Sequence, residues 1–230
     1  MNEYTVLIPC AGNGSRFAAT LAKQYHSLAG KTVLDWTLQA FETSSRIKQI
    51  VVIVQADDPQ IERYRTNYAK LAIAKVGGAT RAQSVLNGLR NLALTNNDWV
   101  LVHDAARCCI TPQMINHLIE QVELNNIGGL LTTRVVDTVK QINAQQQVVQ
   151  TLNREELRLA QTPQMFRYDE LVNALLTLEA EKATDEASAI EACGGKVLAI
   201  ENSPTNLKLT YPSDLYLAEI ILQHSISKGE

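Results

Sequence analysis

Five short, almost wholly apolar runs separated by amphipathic stretches constrain this chain more than any other feature. The runs are Tyr4–Pro9, Gln49–Gln55, Leu71–Val76, Trp99–His103 and Ile127–Thr133. Between them lie Leu34–Glu42, Pro59–Tyr68, Thr80–Leu92 and Pro112–Leu124, each with apolar residues at helical spacing. Strands that read apolar throughout are buried on both faces. A chain that alternates them with helices builds a mostly parallel sheet with helices on either side. The predicted fold is therefore α/β and Rossmann-like, a twisted, mostly parallel sheet with helices on both faces. Thr80 and Thr111, the latter followed by Pro112, are predicted helix caps, as is Ser213 before an apolar C-terminal helix.

One stretch breaks the pattern. Between Arg134 and Glu155 apolar and polar residues alternate around a polar NAQQQ tip, which predicts a two-stranded hairpin projecting from the sheet. Such a hairpin covers a neighbouring subunit or is plain surface. At 230 residues, 46% hydrophobic and 20% charged, the chain suits a single domain over 1–230 with an arm at about 134–155.

Open parallel sheets bind ligands beyond the carboxyl ends of their strands. That rule directs attention to Pro9–Arg16, Gly77–Arg81 and His103–Arg107. The first loop, PCAGNGSR, carries glycines that allow a phosphate chain to approach backbone N–H groups, with Arg16 and then Lys23 supplying positive charge. It is not a dinucleotide fingerprint, because Phe17 stands where the third glycine belongs, and it lacks the Lys-Ser/Thr pair of a P-loop. A plain strand-to-helix turn is the competing reading. At the fourth strand, a carboxylate beside anionic phosphates would be repulsive without a divalent cation. Asp104 is thus a candidate magnesium contact, the alternative being a turn-capping aspartate. Arg107 could pair with a substrate phosphate.

Charge and cysteine usage narrow the classes further. A formal net charge of −3 lacks the basic surplus of a nucleic-acid binder. No secretory pattern opens the sequence and no window has the length of a membrane span, so a cytoplasmic protein is expected. Cys10, Cys108, Cys109 and Cys193 show no metal-ligand spacing and read as reduced thiols.

Taken in order, PCAGNGSRF with KQY, GGATRAQSV, HDAAR, VVDTVK, LNREEL, AQTPQMF, ATDEASAIE and NLKLT with PSDL resemble the 2-C-methyl-D-erythritol 4-phosphate cytidylyltransferases of non-mevalonate isoprenoid synthesis. The resemblance covers nearly the whole chain. It implies that CTP and methylerythritol 4-phosphate give the CDP-alcohol and pyrophosphate with Mg2+, in a homodimer that binds neither nucleic acid nor membrane. It places Arg16, Lys23 and Lys208 as catalytic charges. Cys10, Ala11, Gly12, Gly14, Gly78 and Ser84 fall at the nucleotide. Arg107, Thr138, Arg154, Thr162 and Thr184 fall at the polyol phosphate, with Asp104 at the substrate or metal and Arg154 reaching a partner's site from the arm. Cys108, Ala79, Cys10 and Asn153 depart from the family pattern, where proline, an acid, alanine and an acid are usual. From the residues alone, Lys208 reads as an exposed strand lysine, Thr184-Asp185-Glu186 as a helix start and His103 as a structural histidine. The alternatives to this activity are a ribitol 5-phosphate cytidylyltransferase and a nucleotide-binding regulator without turnover.

Overall fold

A computed structural model of the protein describes residues 2–12, 21–178 and 182–228. The chain runs through β1 (Tyr4–Pro9), a small hairpin of β2 (Ser27–Leu28) and β3 (Lys31–Thr32), α1 (Val33–Thr43), β4 (Ile47–Ile53), β5 (Leu71–Ala74) and α2 (Arg81–Arg90). It continues through β6 (Trp99–Val102), α3 (Pro112–Asn125), β7 (Gly129–Arg134), β8 (Lys140–Ile142), β9 (Val148–Thr151) and β10 (Arg158–Arg167). It ends in α4 (Tyr168–Thr177), α5 (Glu186–Ala192), β11 (Leu198–Glu201) and α6 (Asp214–Lys228). The main sheet has the order β11-β7-β10-β6-β1-β4-β5. All its pairings are parallel except the two made by β10, which runs antiparallel to β6 and β7.

The apolar runs behave as buried parallel strands must. In β1, Val6 and Ile8 join Leu34, Leu38 and Phe41 of α1 and Ile115 and Leu118 of α3 on one face. Leu7 between them points to the opposite face, with Val85 and Leu89 of α2, Phe166 and Leu171. Val6, Leu7 and Ile8 are all fully enclosed. The pleat sends alternate residues to opposite faces and both faces are covered, so consecutive positions are apolar, with the enclosed Thr5 as the polar exception in β1. Burying one such side chain contributes roughly 1.5–3 kcal/mol, which is why these runs dominate the choice of fold.

Helix starts follow cap chemistry. The hydroxyls of Thr80 and Thr111 accept from the N–H groups of Gln83 and Met114, and Thr32 and Asp35 form a reciprocal capping box. Two expectations need correction. Pro59–Tyr68 is not an amphipathic helix but a single 3-10 turn, Ile61–Tyr64. Its tyrosines are pinned instead by their hydroxyls to the start of α1, Tyr64 against Thr32 and Tyr68 on Asp35. Thr66 and Asn67, weak helix formers, do nothing to prolong the turn. At α6, it is the Asp214 carboxylate that ties the helix to the preceding loop, accepting from the N–H groups of Thr210 and Tyr211. Among the described residues no side-chain bond from Ser213 caps that helix. The excursion after β7 does form a hairpin: Lys140 and Gln141 of β8 pair with Thr151 and Gln150 of β9, and every residue of both strands is exposed.

Candidate active site

The chain leaves β1 toward β4 and β5 on one side, then crosses to β6 on the other. This is the point where an open sheet parts its loops. A cleft of about 470 Å³ sits there, lined by the ends of β1 and β5, the start of α2, the loop after β6 and the segment around Lys208.

One wall is backbone. Cys10, Ala11 and Gly12 follow β1 and face Gly78, Ala79 and Thr80. The two loops are clipped together by Gln55, whose amide donates to the carbonyls of Ala11 (3.3 Å) and Gly78 (3.2 Å). Their approach requires glycine at position 77, where a Cβ would lie 2.6 Å from the Ala11 Cβ and 2.9 Å from the Val54 carbonyl oxygen. Ser84 shapes this wall from behind: it accepts from the Gly78 N–H and donates to the Thr80 carbonyl. Cys10 is buried, and that burial pushes its thiol up, so it stays protonated.

The other wall is charged. Lys23 lies on a short 3-10 turn held by its neighbours, with the Gln24 amide on the Cys10 carbonyl (2.9 Å) and the Tyr25 hydroxyl on Asp58 (2.8 Å). Its Nζ donates to the Leu209 carbonyl at 3.1 Å. Lys208 precedes Leu209, a fully buried residue whose N–H donates to the Ala106 carbonyl. Because the apolar neighbour is drawn inward, the lysine is turned into the cleft. There its Nζ meets Asp104 Oδ2 at 2.6 Å. Arg81 Nε holds Asp104 Oδ1 at 2.7 Å, and the rest of the Arg81 guanidinium grips Glu186 through Nη1 at 2.7 Å and Nη2 at 3.0 Å. Burial alone would raise the Asp104 carboxyl, but Arg81 and Lys208 hold it well below the usual carboxylate range, so it is anionic.

His103 lies behind this wall, fully enclosed and edge-on to Phe41. Its Nε2 faces the Arg107 carbonyl at 3.2 Å, which can only accept, so Nε2 carries the proton. Nδ1 therefore accepts from the Thr162 hydroxyl (3.1 Å), whose oxygen in turn accepts from the Asp104 N–H (3.0 Å). Burial pushes the imidazole down to about 3. The histidine is thus a neutral brace for the loop carrying Asp104.

The structure gathers Cys10, Ala11, Gly12, Lys23, Gly78, Ser84, Asp104 and Lys208 around one cleft. Arg16 and Gly14 lie outside the described residues. Thr162 adjoins the cleft with its hydroxyl engaged by His103. Arg107 is buried, with Nη1 and Nη2 on the carbonyls of Asn206 and Ala160. Thr184 is exposed just before α5, whose cap is Asp185. Thr138 and Arg154 are exposed on the hairpin side, and neither lines this cleft. Sequence reasoning missed Arg81 as the link to Asp104 and Gln55 altogether, and read Glu186 only as part of a helix start. Arg81 follows the GGAT turn and was signalled by that position; nothing in the sequence pairs it with a glutamate 105 residues away.

Comparison with known proteins agrees over the same span. A family model described as IspD, 2-C-methyl-D-erythritol 4-phosphate cytidylyltransferase, matches residues 4–224. A 2-C-methyl-D-erythritol 4-phosphate cytidylyltransferase of Chromobacterium violaceum is 45% identical over 216 residues, 94% of this chain and 96% of that protein. A crystal structure of a 4-diphosphocytidyl-2C-methyl-D-erythritol synthase superposes with TM-score 0.84 at 37% identity, covering 96% of this chain and 99% of that one. The Francisella tularensis 2-C-methyl-D-erythritol 4-phosphate cytidylyltransferase gives TM-score 0.80 at 36% identity, covering 96% and 100%.

Proposed function

From the premise that the chain belongs to the 2-C-methyl-D-erythritol 4-phosphate cytidylyltransferase family, we propose how its own residues carry the reaction. The protein is a cytidylyltransferase that joins CTP and 2-C-methyl-D-erythritol 4-phosphate into 4-diphosphocytidyl-2-C-methyl-D-erythritol with release of pyrophosphate. An oxygen of the polyol phosphate forms a bond to the CTP α-phosphorus as the bond from that phosphorus to the β-phosphate oxygen breaks. The attacking phosphate is already anionic, so no protein base is needed, and His103, sealed and neutral, is not one.

The observation that supports the residue roles is the placing of Lys23 and Lys208 around one backbone-walled cleft. The nucleotide lies along Cys10, Ala11, Gly12, Gly14 and Gly78, with Ser84 keeping that wall in shape. Lys23, Lys208 and Arg16 stabilise charge at the α-phosphoryl group, where preorganised cations favour the transition state over the ground state. Magnesium accompanies the triphosphate. Asp104 is the acid lining the described cleft and is anionic, but Arg81 and Lys208 occupy its two oxygens, so phosphate oxygens and waters, which this ion keeps readily, would supply most of its ligands. Asp104 would face it at most through a water, and the ion would supply neutralising charge to the phosphates.

The polyol phosphate is met by Arg107, Thr162 and Thr184 of one subunit and by Thr138 and Arg154 of a second, brought across by the arm of a homodimer. The arm's exposure supports this: Val148 and Val149 are each 61% exposed, and a two-stranded hairpin alone is marginal in water. No helix among the described residues is long and apolar enough to cross a membrane, and the cytosol is the compartment we propose.

The test is pyrophosphate release from purified protein with CTP, magnesium and either methylerythritol phosphate or ribitol 5-phosphate. Turnover with the first is expected, and turnover with ribitol phosphate alone would sink the assignment. Lys23→Ala and Lys208→Ala should each lower kcat by roughly 10²–10³-fold. Wild-type kcat in either variant removes that lysine from the reaction.

A further inference from the structure

We propose that Glu186 and Arg81 are positioning residues for Lys208, acting through Asp104. The four groups form a chain in which every carboxylate oxygen has its own partner. Glu186, the first residue of α5, is completely enclosed. Its Oε1 and Oε2 take Nη1 and Nη2 of Arg81 at 2.7 and 3.0 Å. Held end-on by Glu186, that guanidinium turns its Nε edge to Asp104, and Nε meets Oδ1 at 2.7 Å. Oδ2 of Asp104 is thereby left to Lys208, at 2.6 Å.

The physical argument turns on what Arg81 would do without Glu186. A guanidinium facing a lone carboxylate prefers the two-bond fork, which is stronger and more directional than a single bond. Arg81 would rotate its fork onto Asp104 and engage both oxygens. Lys208 would then share Oδ2 with a second cation, which loosens the contact that fixes its Nζ in the cleft. By gripping both terminal nitrogens of Arg81, Glu186 fixes the orientation of the guanidinium, in which Arg81 meets Asp104 through Nε alone and Oδ2 faces the lysine. Enclosing a carboxylate this fully is poor value for stability alone, since well-packed apolar residues serve as well or better than buried ion pairs. Its contribution here is direction. In the described hydrogen bonds the Glu186 carboxylate pairs with Arg81, and α5, which carries it, is capped by the Asp185–Ser188 box.

The inference rests on Lys208 acting at the reacting centre, and the experiment separates the two. Steady-state kinetics would be measured for Glu186→Gln, Lys208→Ala and the double variant, with folding followed by near-ultraviolet circular dichroism and thermal melting. Glu186→Gln keeps the shape and loses the charge that holds the fork; its kcat is expected to fall about tenfold, with KM for CTP within about twofold of wild type. If Glu186 works through Lys208, the double variant is no slower than Lys208→Ala, to within about twofold. Effects that multiply in the double variant, or wild-type kcat in Glu186→Gln, would overturn the proposal. Wild-type turnover by Lys208→Ala would instead overturn the assignment of the lysine. Should Glu186→Gln fail to fold, Arg81→Lys, which keeps the charge and loses the fork, takes its place in the same cycle. Failure of both to fold also counts against the proposal, because the network would then be holding the fold rather than aiming the lysine.

Discussion

His103 shows how one buried ring can be indispensable without doing chemistry. It donates to the Arg107 carbonyl and accepts from Thr162, so replacing it by phenylalanine leaves the buried Thr162 O–H without its acceptor and takes from the Arg107 carbonyl one donor, the Ile110 N–H remaining. Leaving such groups unsatisfied costs about 1–3 kcal/mol, and His103→Phe should lose that much in urea denaturation at pH 7. The pH dependence has a definite sign. The folded pKa is depressed from 6.5 to about 3, so the unfolded chain takes up the proton first as pH falls. The stability given by the neutral ring is fully present above 6.5 and is lost progressively toward 3. The gap between wild type and His103→Phe should therefore narrow between pH 7 and pH 4, and a constant gap would contradict the brace. Asp104 was legible as a candidate because it follows a strand end, and Lys23 because it follows the glycine-containing loop after β1. Glu186 was not, since its meaning lies in a contact with Arg81 that only the folded sheet creates.

At the level of elements, the legible parts were those with one period and covered faces. Each of the five apolar runs contributes a strand, the fifth beginning at Gly129. Helices α1, α2 and α3 match their predicted spans to within two residues. What escaped was β10, where Arg158–Ala160 are exposed while Gln161–Phe166 are buried. Half of that strand reads as polar surface, and its antiparallel course is set by neighbours, not by its own sequence. Helix starts connect directly to the site. Thr80 caps α2 and its carbonyl accepts from Ser84, so the cap also shapes the wall of the cleft. Thr80→Ala should cost about 1 kcal/mol in denaturation. It should also raise KM for CTP several-fold while kcat changes less; an unchanged KM would mean that the cap serves the helix alone.

For the whole molecule, the proposed division of the acceptor site between two subunits can be decided by mixing. Arg154→Ala and Lys208→Ala proteins should each be slow alone. If Arg154 acts across the dimer, co-refolding the two gives heterodimers in which one site carries both lesions and the other carries neither. A random mixture should then recover roughly a quarter of wild-type turnover, and no recovery would place Arg154 outside the partner's site. Turnover rising with the fraction of mixed dimers is the reading to follow, since homodimers of either variant supply only the background.

The order in which the sheet is assembled has a consequence for the chain during synthesis. Strands β1, β4, β5 and β6 and helices α1, α2 and α3 all lie before residue 126, and they carry Lys23, Arg81 and Asp104. Glu186 and Lys208 arrive only with the last fifth of the chain, after β10 has closed against β6. Until that segment is made, the chain holds the residues of the nucleotide wall and Lys23, while Arg81 and Asp104 lack the two partners that meet them in the finished sheet. The charged wall of the cleft is therefore completed by the last part of the chain to be synthesised.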